Sequence, residues 1–226
     1  WSSDVCSSDL LSFHQTKNIS CGEGGALLIN DDALIERAEI LREKGTNRSR
    51  FFRGQVDKYT WVDLGSSYVL SDLLAAALLG QLERIEEIQT ARANLWNYYY
   101  ANLAPLRHEY GIGMADLPPD CTPSHHLFYL LMPTLQLRQE LMHYLEQAGI
   151  SSVFHYQPLH ISDMGRKFGG KAGQCPVTES VADRLLRLPL YNVLSRMEQD
   201  HIIESVIHFV KKNIARSALS RPAGAR

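Results

Sequence analysis

The sequence has no excess of either charge. Against 23 Lys and Arg stand 25 Asp and Glu, a net charge of −2, so the basic surface of a nucleic-acid-binding chain is missing. No apolar run reaches the roughly 18 residues of a membrane helix, and no secretory h-region is visible. There are only 4 cysteines. Cys6, Cys21, Cys121 and Cys175 stand far apart with no Cys-x-x-Cys, which argues against a disulfide framework or a cysteine zinc site and for a reducing cytoplasm. Internal repeats and low-complexity stretches are absent from the core. His125 and His126 do not make a metal pair, because adjacent strand residues point to opposite faces; they are expected at the start of a core strand.

What is present is a globular α/β pattern. Apolar residues make up 45% and charged residues 21%, enough for one or two packed domains. Ala26–Ile29 reads as a strand. Asp31 or Asp32 caps a helix with apolar positions Leu34, Ile35, Ala38 and Leu41, and Gly45 stands where a C′ glycine belongs. Residues 46–63 are polar, basic and aromatic without a period, which suggests a long functional loop. Ser71 caps a helix from Asp72. The spacing of Leu74, Ala77, Leu78, Gln81, Ile85, Ile88 and Leu95 carries it to about Leu103, roughly 48 Å at 1.5 Å per residue.

After Pro118-Pro119 the expected elements are a strand Leu127–Met132, a helix Leu137–Gln147 ended by Gly149, a strand Ser151–Tyr156 and a helix Thr178–Leu186. Ser195-Arg196-Met197-Glu198 is a capping box for a last helix to about Lys212. The expected divisions are 11–103, which ends in the long helix, 104–212, a small α/β domain, and 213–226, a frayed, basic, Pro/Gly-containing tail. Residues 1–10, WSSDVCSSDL, match the in-frame translation of a sequencing adapter and are expected to contribute nothing to the fold.

The chemically distinctive segment is Ser12-Phe13-His14-Gln15-Thr16-Lys17-Asn18, followed by Gly22-Glu23-Gly24-Gly25. A lysine between an aromatic and hydroxyl cluster and a glycine turn is placed to be held. A held lysine loses its proton near neutral pH and condenses with carbonyls. Pyridoxal phosphate enzymes use such a lysine, with hydroxyl and backbone N–H donors nearby for the phosphate. Read locally, the same residues also describe a surface lysine beside a glycine turn, and the Gly-Glu-Gly-Gly run alone favours that plainer reading.

Two further groups are candidates. Arg53, Lys58 and Tyr59 lie in the aromatic-basic loop; they either pair with a diphosphate or form a solvated charged loop. His155, Tyr156 and His160 lie in Phe154–His160, FHYQPLH. Imidazole and phenol groups hydrogen-bond sugar hydroxyls or phosphate, or serve structurally.

SFHQTKN and GEGGALLIND resemble the lysine segment of the DegT/DnrJ/EryC1 family of sugar aminotransferases. The similarity continues through Leu41–Arg48 (LREKGTNR), Phe51–Trp61 (FFRGQVDKYTW), Leu64–Tyr68, FHYQPLH and Leu186–Leu190 (LRLPL), and so covers about residue 11 to about residue 212. It implies the fold type I of PLP-dependent transferases. Residues 11–103 would then be part of the PLP-binding large domain, joined by the long helix to a small C-terminal α/β domain.

The resemblance also implies pyridoxal 5′-phosphate as cofactor, Lys17 as the residue that binds it and later moves the proton, and Ser12 as a donor to its phosphate. Gly65-Ser66-Ser67-Tyr68 corresponds to a loop that reaches the cofactor phosphate of the other subunit in a homodimer. Many relatives carry asparagine after the tyrosine; here Val69 follows, leaving Ser67 or Tyr68 as donor. Arg53, Lys58, Tyr59, His155, Tyr156 and His160 take the part of sugar-nucleotide contacts.

The substrates implied are dTDP-4-keto-6-deoxyglucose, or another nucleotide-activated 4-keto sugar, and L-glutamate as amino donor. The setting implied is cell-surface polysaccharide synthesis of the enterobacterial common antigen type. Family dehydratases carry histidine at the lysine position, so Lys17 speaks against them. A non-catalytic relative that binds a sugar nucleotide stays open. The similarity is to the family's C-terminal portion. The phosphate turn, the stacking aromatic and the ring-nitrogen aspartate of the other half are not in this sequence, so the chain alone is expected to bind cofactor weakly and turn over no sugar.

Overall fold

The computed structural model describes residues 8–219, with side chains described through Ile214. Its internal contacts separate two units, and the boundary falls between Ile88 and Gln89 rather than after Leu103.

In the first unit, β1 (Ser8–Ser12) and β2 (Gly25–Ile29) form an antiparallel ribbon in which Ser8 faces Ile29, Leu10 faces Leu27 and Ser12 faces Gly25. Ser8, Asp9 and Leu10, expected to lie outside the fold, are therefore paired strand residues. An exposed ribbon asks for backbone pairing more than for particular side chains, so this stretch can occupy it. Residues 1–7 lie outside the described residues.

α1 (Asp32–Arg42) starts where the Asp31 carboxylate accepts the Ala33 N–H at 2.9 Å. At its end Lys44, not Gly45, takes the first left-handed position, with φ 60. Gly45 follows at φ 75 and gives its N–H to the Ile40 carbonyl at 2.8 Å. Residues 46–63 are not all loop, since Arg48–Phe52 forms a short helix, α2. α3 (Asp72–Leu82) is capped by Ser71, whose Oγ accepts the Leu74 N–H at 3.4 Å.

The single helix expected from Asp72 to Leu103 is two, because α4 begins afresh and spans Ile85–Leu103. At the break the Arg84 N–H bonds back only to the Gln81 carbonyl, at 3.2 Å, a tightened turn, and Gly80 weakens the turn before it. Burial is sparse in this unit. Among the described residues, its buried apolar side chains are Ile19, Cys21 and Ile88, and α3 buries none although most of its residues are apolar.

The second unit is built on burial. After α4 come α5 (Pro105–Tyr110), β3 (Phe128–Leu131), α6 (Leu135–Gln147), β4 (Val153–Phe154), a 3-10 turn at Leu159–Ile161, α7 (Asp163–Lys167), α8 (Pro176–Arg184), β5 (Leu185–Leu188) and α9 (Arg196–Leu219). The strands make an antiparallel sheet in the order β3-β5-β4, with Phe128 opposite Leu188, Leu130 opposite Leu186, and Phe154 opposite Leu186. Its core joins Trp96, Tyr99 and Leu103 of α4 to Phe128, Leu130, Leu141, Leu145, Leu186 and Leu188, and to Ile202, Val206, Phe209 and Val210 of α9. The last four recur at helical spacing, one face of α9. Tyr99 stacks on Phe128 at 5.1 Å and donates its hydroxyl to the Pro189 carbonyl at 2.9 Å; burial pushes that phenol well above its usual range.

Several boundaries move. The strand expected over Ser151–Tyr156 is two residues long. The helix expected to Leu186 stops at Arg184, and Leu185–Leu188 is instead the central strand. A short, leucine-rich run fits a buried strand or a buried helix end equally well, and periodicity does not separate them. His125 and His126 precede β3 rather than lie in it. The capping box is as expected: Ser195 Oγ accepts the Glu198 N–H at 3.2 Å, and Glu198 Oε2 accepts the Ser195 N–H at 2.8 Å. α9 then runs to Leu219, through part of the expected tail.

Leu186 fixes this core, fully enclosed in the middle strand. Leu186→Ala is expected to cost about 2–5 kcal/mol of stability by chemical denaturation. Leu73→Ala, at a residue 85% exposed, should change it by no more than about 0.5 kcal/mol.

Candidate cofactor and substrate site

The loop between β1 and β2 is closed at its neck by backbone hydrogen bonds. Phe13 N–H donates to the Gly24 carbonyl at 2.8 Å, Gln15 N–H to Gly22 at 2.7 Å, and Cys21 N–H to Phe13 at 3.1 Å. Gly22 sits at φ 92, and a β-carbon on Gly24 would meet Cys21 Sγ at 2.8 Å. Cys21 and Ile19 are buried beneath.

At the tip, Lys17 N–H donates to the His14 carbonyl at 2.9 Å, a turn that presents the Lys17 side chain outward. His14, which the sequence did not single out, braces that turn. Its Nδ1 accepts the Thr16 N–H at 3.2 Å and lies 3.0 Å from the Thr16 hydroxyl, while Nε2 lies 3.6 Å from Glu23. These contacts agree when Nδ1 accepts and Nε2 carries the proton. Ser12 ends β1, and its Oγ accepts the His14 N–H at 3.5 Å.

The segment Gly65–Tyr68 docks along the end of α1. Ser66 N–H donates to Leu41 at 2.9 Å, Tyr68 N–H to Arg42 at 3.0 Å, and Lys44 N–H to Ser66 at 3.0 Å. Two glycines make the approach possible: a β-carbon on Gly65 would lie 2.1 Å from Gly45 N, and one on Gly45 would lie 1.8 Å from the Asp63 carbonyl oxygen. Ser67 and Tyr68 are exposed. Leu70, two residues on, lies 3.2 Å from where a β-carbon on Gly24 would be. The residues that follow the Gly65–Tyr68 segment thus reach the neck of the Lys17 loop.

Arg53 is less free than its sequence suggests. Its guanidinium grips Glu39 of α1 bidentately, at 2.7 and 2.8 Å, and that hydrogen bond holds the Glu39 carboxyl below its usual range. Arg50–Glu36 and Arg48–Glu43 repeat the pairing and tie α2 to α1. Lys58 is exposed, and the exposed Tyr59 ring packs edge-on against Phe51 at 5.8 Å.

The other candidates lie in the second unit. His155 and Tyr156 are exposed just after β4, their rings 5.6 Å apart. His160 is held by Glu179, Nε2 to Oε1 at 2.8 Å. Glu179, which the sequence did not single out, also accepts the Gly173 N–H at 2.8 and 3.0 Å and the Cys175 N–H at 3.3 Å. Its position in the first turn of α8, after Pro176, was the available signal. The His125 and His126 carbonyls accept from the Arg92 guanidinium. No group of three or more metal-ligating side chains occurs among the described residues, and no helix there is long and apolar enough to cross a membrane.

The donor set fits an aldehyde-bearing phosphate. Lys17 offers an exposed primary amine with no carboxylate in ion-pair reach among the described residues, and Ser12, Ser67 and Tyr68 offer hydroxyls. The fold agrees, being the α/β fold of PLP-dependent sugar aminotransferases. DesV of Streptomyces venezuelae, solved with a ketimine intermediate, superimposes with a TM-score of 0.78 at 30% identity, over 91% of this chain and 52% of that one.

The family model described as the DegT/DnrJ/EryC1/StrS aminotransferase family matches residues 4–207, and the chain belongs to that family, one of PLP-dependent aminotransferases. The match begins inside the stretch read as an adapter translation. The erythromycin biosynthesis sensory transduction protein EryC1 of Saccharopolyspora erythraea is 32% identical over 86% of this chain and 50% of its own length. The dTDP-3-amino-3,4,6-trideoxy-alpha-D-glucose transaminase of Streptomyces venezuelae is 30% identical over 89% and 50%. The chain spans about half the length of these relatives.

Glu179 yields a pH prediction. Its carboxyl is held below its ordinary 4.5 by the His160 hydrogen bond first, then by the Gly173 and Cys175 N–H groups. A depressed carboxyl contributes stability in full above its unfolded pKa and loses it as pH falls through the folded one. The melting temperature of Glu179→Gln should therefore lie below that of the unaltered chain at neutral pH, and the gap should close in acid.

Proposed function

We propose that this chain is the Lys17-bearing part of a PLP-dependent aminotransferase that moves an amino group from L-glutamate to C4 of a nucleotide-activated 4-keto-6-deoxy sugar. The particular reaction proposed is that of dTDP-4-amino-4,6-dideoxygalactose transaminase, acting on dTDP-4-keto-6-deoxyglucose in cytoplasmic synthesis of a surface polysaccharide. The observation that carries the reading is Lys17, an accessible amine on a loop pinned at its neck and braced by His14.

When bound, pyridoxal phosphate supplies the electron sink for deprotonation at carbon. Lys17 Nζ would hold the cofactor at rest and, once freed, would carry the proton from the donor's carbon to the cofactor's carbon. Ser12 Oγ donates to the phosphate. Ser67 and Tyr68 offer their hydroxyls to the cofactor phosphate of a second subunit, which makes the working unit a homodimer. Lys58, Tyr59, His155 and Tyr156 contact the sugar nucleotide from exposed positions. Arg53 and His160 do so from side chains already anchored on Glu39 and Glu179, so less ordering entropy is lost on binding.

A regulatory role is the second reading, favoured by the sensory transduction name of the Saccharopolyspora relative. One experiment separates the two. In this chain joined to the N-terminal half found in its relatives, Lys17→Ala should abolish the cofactor's visible absorption band and the half-reaction with glutamate. A normal band with normal turnover in that variant would sink the proposal. A band without turnover in the unaltered protein, on any of a panel of dTDP- and UDP-4-keto sugars, would favour the regulatory reading.

A further inference from the structure

The central strand of the second unit, Leu185-Leu186-Arg187-Leu188, carries one charged residue among leucines. Leu186 and Leu188 belong to the core, so alternation turns Arg187 to the opposite face. Register sets it there between Tyr129 of β3 and Val153 of β4. Its guanidinium lies over the Tyr156 ring at 5.6 Å, and the His155 ring is 5.6 Å from that of Tyr156. Arg187 Nε is enclosed without a hydrogen-bond partner. Among the described residues no carboxylate lies within ion-pair distance of this side chain.

The unit's two buried arginines, Arg92 and Arg138, are satisfied. Arg92 gives its donors to the carbonyls of His125 and His126 and to Asn192 Oδ1, and Arg138 Nε gives its own to the Asp183 carbonyl at 3.0 Å. Arg187 itself is half-buried, and its enclosed Nε–H is costly unless something accepts from it. An aromatic face at this distance meets part of the charge and none of the in-plane N–H groups. Those planar donors match carboxylate and phosphate oxygens. Beside them, the exposed Tyr156 hydroxyl and the His155 ring offer further polar contacts.

We propose that Arg187, framed by Tyr156 and His155, is a binding residue for a substrate oxyanion, a carboxylate or a phosphate. The source of that oxyanion rests on the aminotransferase reading: L-glutamate brings carboxylates and a sugar nucleotide brings a diphosphate. Arg187 was legible only as part of the LRLPL match; nothing in the sequence marked its guanidinium as unpaired.

The test follows the Arg187 Nε–Hε resonance by NMR in the intact 226-residue chain, titrated separately with L-glutamate and with dTDP. A saturable shift with at least one ligand is expected. Arg187→Gln should weaken that ligand by about tenfold or more and Arg187→Lys by less, since lysine keeps the charge and loses the fork. A shift with glutamate places the amino donor at Arg187, and a shift with dTDP places the nucleotide there. No saturable shift with either ligand overturns the proposal, and so does equal binding by the unaltered chain and Arg187→Gln. Should Arg187→Gln not fold, the titration of the unaltered chain still decides. Neither measurement needs turnover. Oxyanion binding through Arg187 in a protein without aminotransferase activity keeps this inference and drops the functional one, and an active enzyme with a silent Arg187 does the reverse.

Discussion

Gly45 and Gly65 meet backbone to backbone, and the Lys17 side of the molecule is organised around that meeting. No β-carbon fits on either residue. Their closeness lets the chain after α2 hydrogen-bond directly to the end of α1, where a helix leaves carbonyls without partners. The Leu41 and Arg42 carbonyls receive Ser66 and Tyr68, and the Gly45 carbonyl receives both Val62 at 2.8 Å and Asp63 at 3.0 Å. The Arg37–Asp63 ion pair closes the same junction from the side chains. The direction of the following residues is then set, and Leu70 arrives beside Gly24 at the neck of the lysine loop. A contact with no side chain of its own thus positions the segment that ends at the neck of the Lys17 loop.

The two units are held by different physics. The second has a continuous core from α4 to α9, and its stability scales with apolar area removed from water. The first buries little. Leu10, Leu64 and Leu73 are each more than two-thirds exposed, and order there comes from backbone pairing, helix caps and the Glu–Arg ladder between α1 and α2. Exposed ion pairs add little individually, about 0–1 kcal/mol, so the ladder sets alignment more than stability. Apolar surface left open on this scale is unusual for a monomer.

Much of this was legible where local rules decide. The caps at Asp31, Ser71 and Ser195–Glu198, the strand at Ala26–Ile29 and the loop around Lys17 all follow from short-range chemistry that no distant contact overrides. Most of the misses come from competition elsewhere in the fold. Leu185 and Leu186 continue a helical pattern on paper, yet β3 and β4 need a partner between them and Leu185–Leu188 is the run that supplies it. Ser8–Leu10 looks foreign, yet β2 offers a free edge that any extended backbone can pair. The helix from Asp72 carries its period past Leu82, but tightening at Arg84 breaks the ladder where the sequence shows only an unremarkable Glu-Arg pair. For the candidate site, residue types were readable and their engagement was not. The bidentate Arg53–Glu39 pair spans fourteen residues and depends on α2 folding back on α1, which the loop reading did not contain.

The FHYQPLH motif shows how a matched segment divides once it folds. His155 and Tyr156 leave the end of β4 with exposed rings. Four residues later His160 turns inward to Glu179, whose remaining oxygen capacity collects the N–H groups of Gly173 and Cys175. The backbone around it is as close as at the Gly45 junction: a β-carbon on Gly165 would lie 2.0 Å from the Leu159 carbonyl oxygen, and one on Gly170 would lie 2.1 Å from that of His160. One end of the motif is therefore fixed by a carboxylate and two glycines while the other is presented to solvent. Such an arrangement places its rigidity where the chain turns and leaves the imidazole and phenol of His155 and Tyr156 exposed beside Arg187.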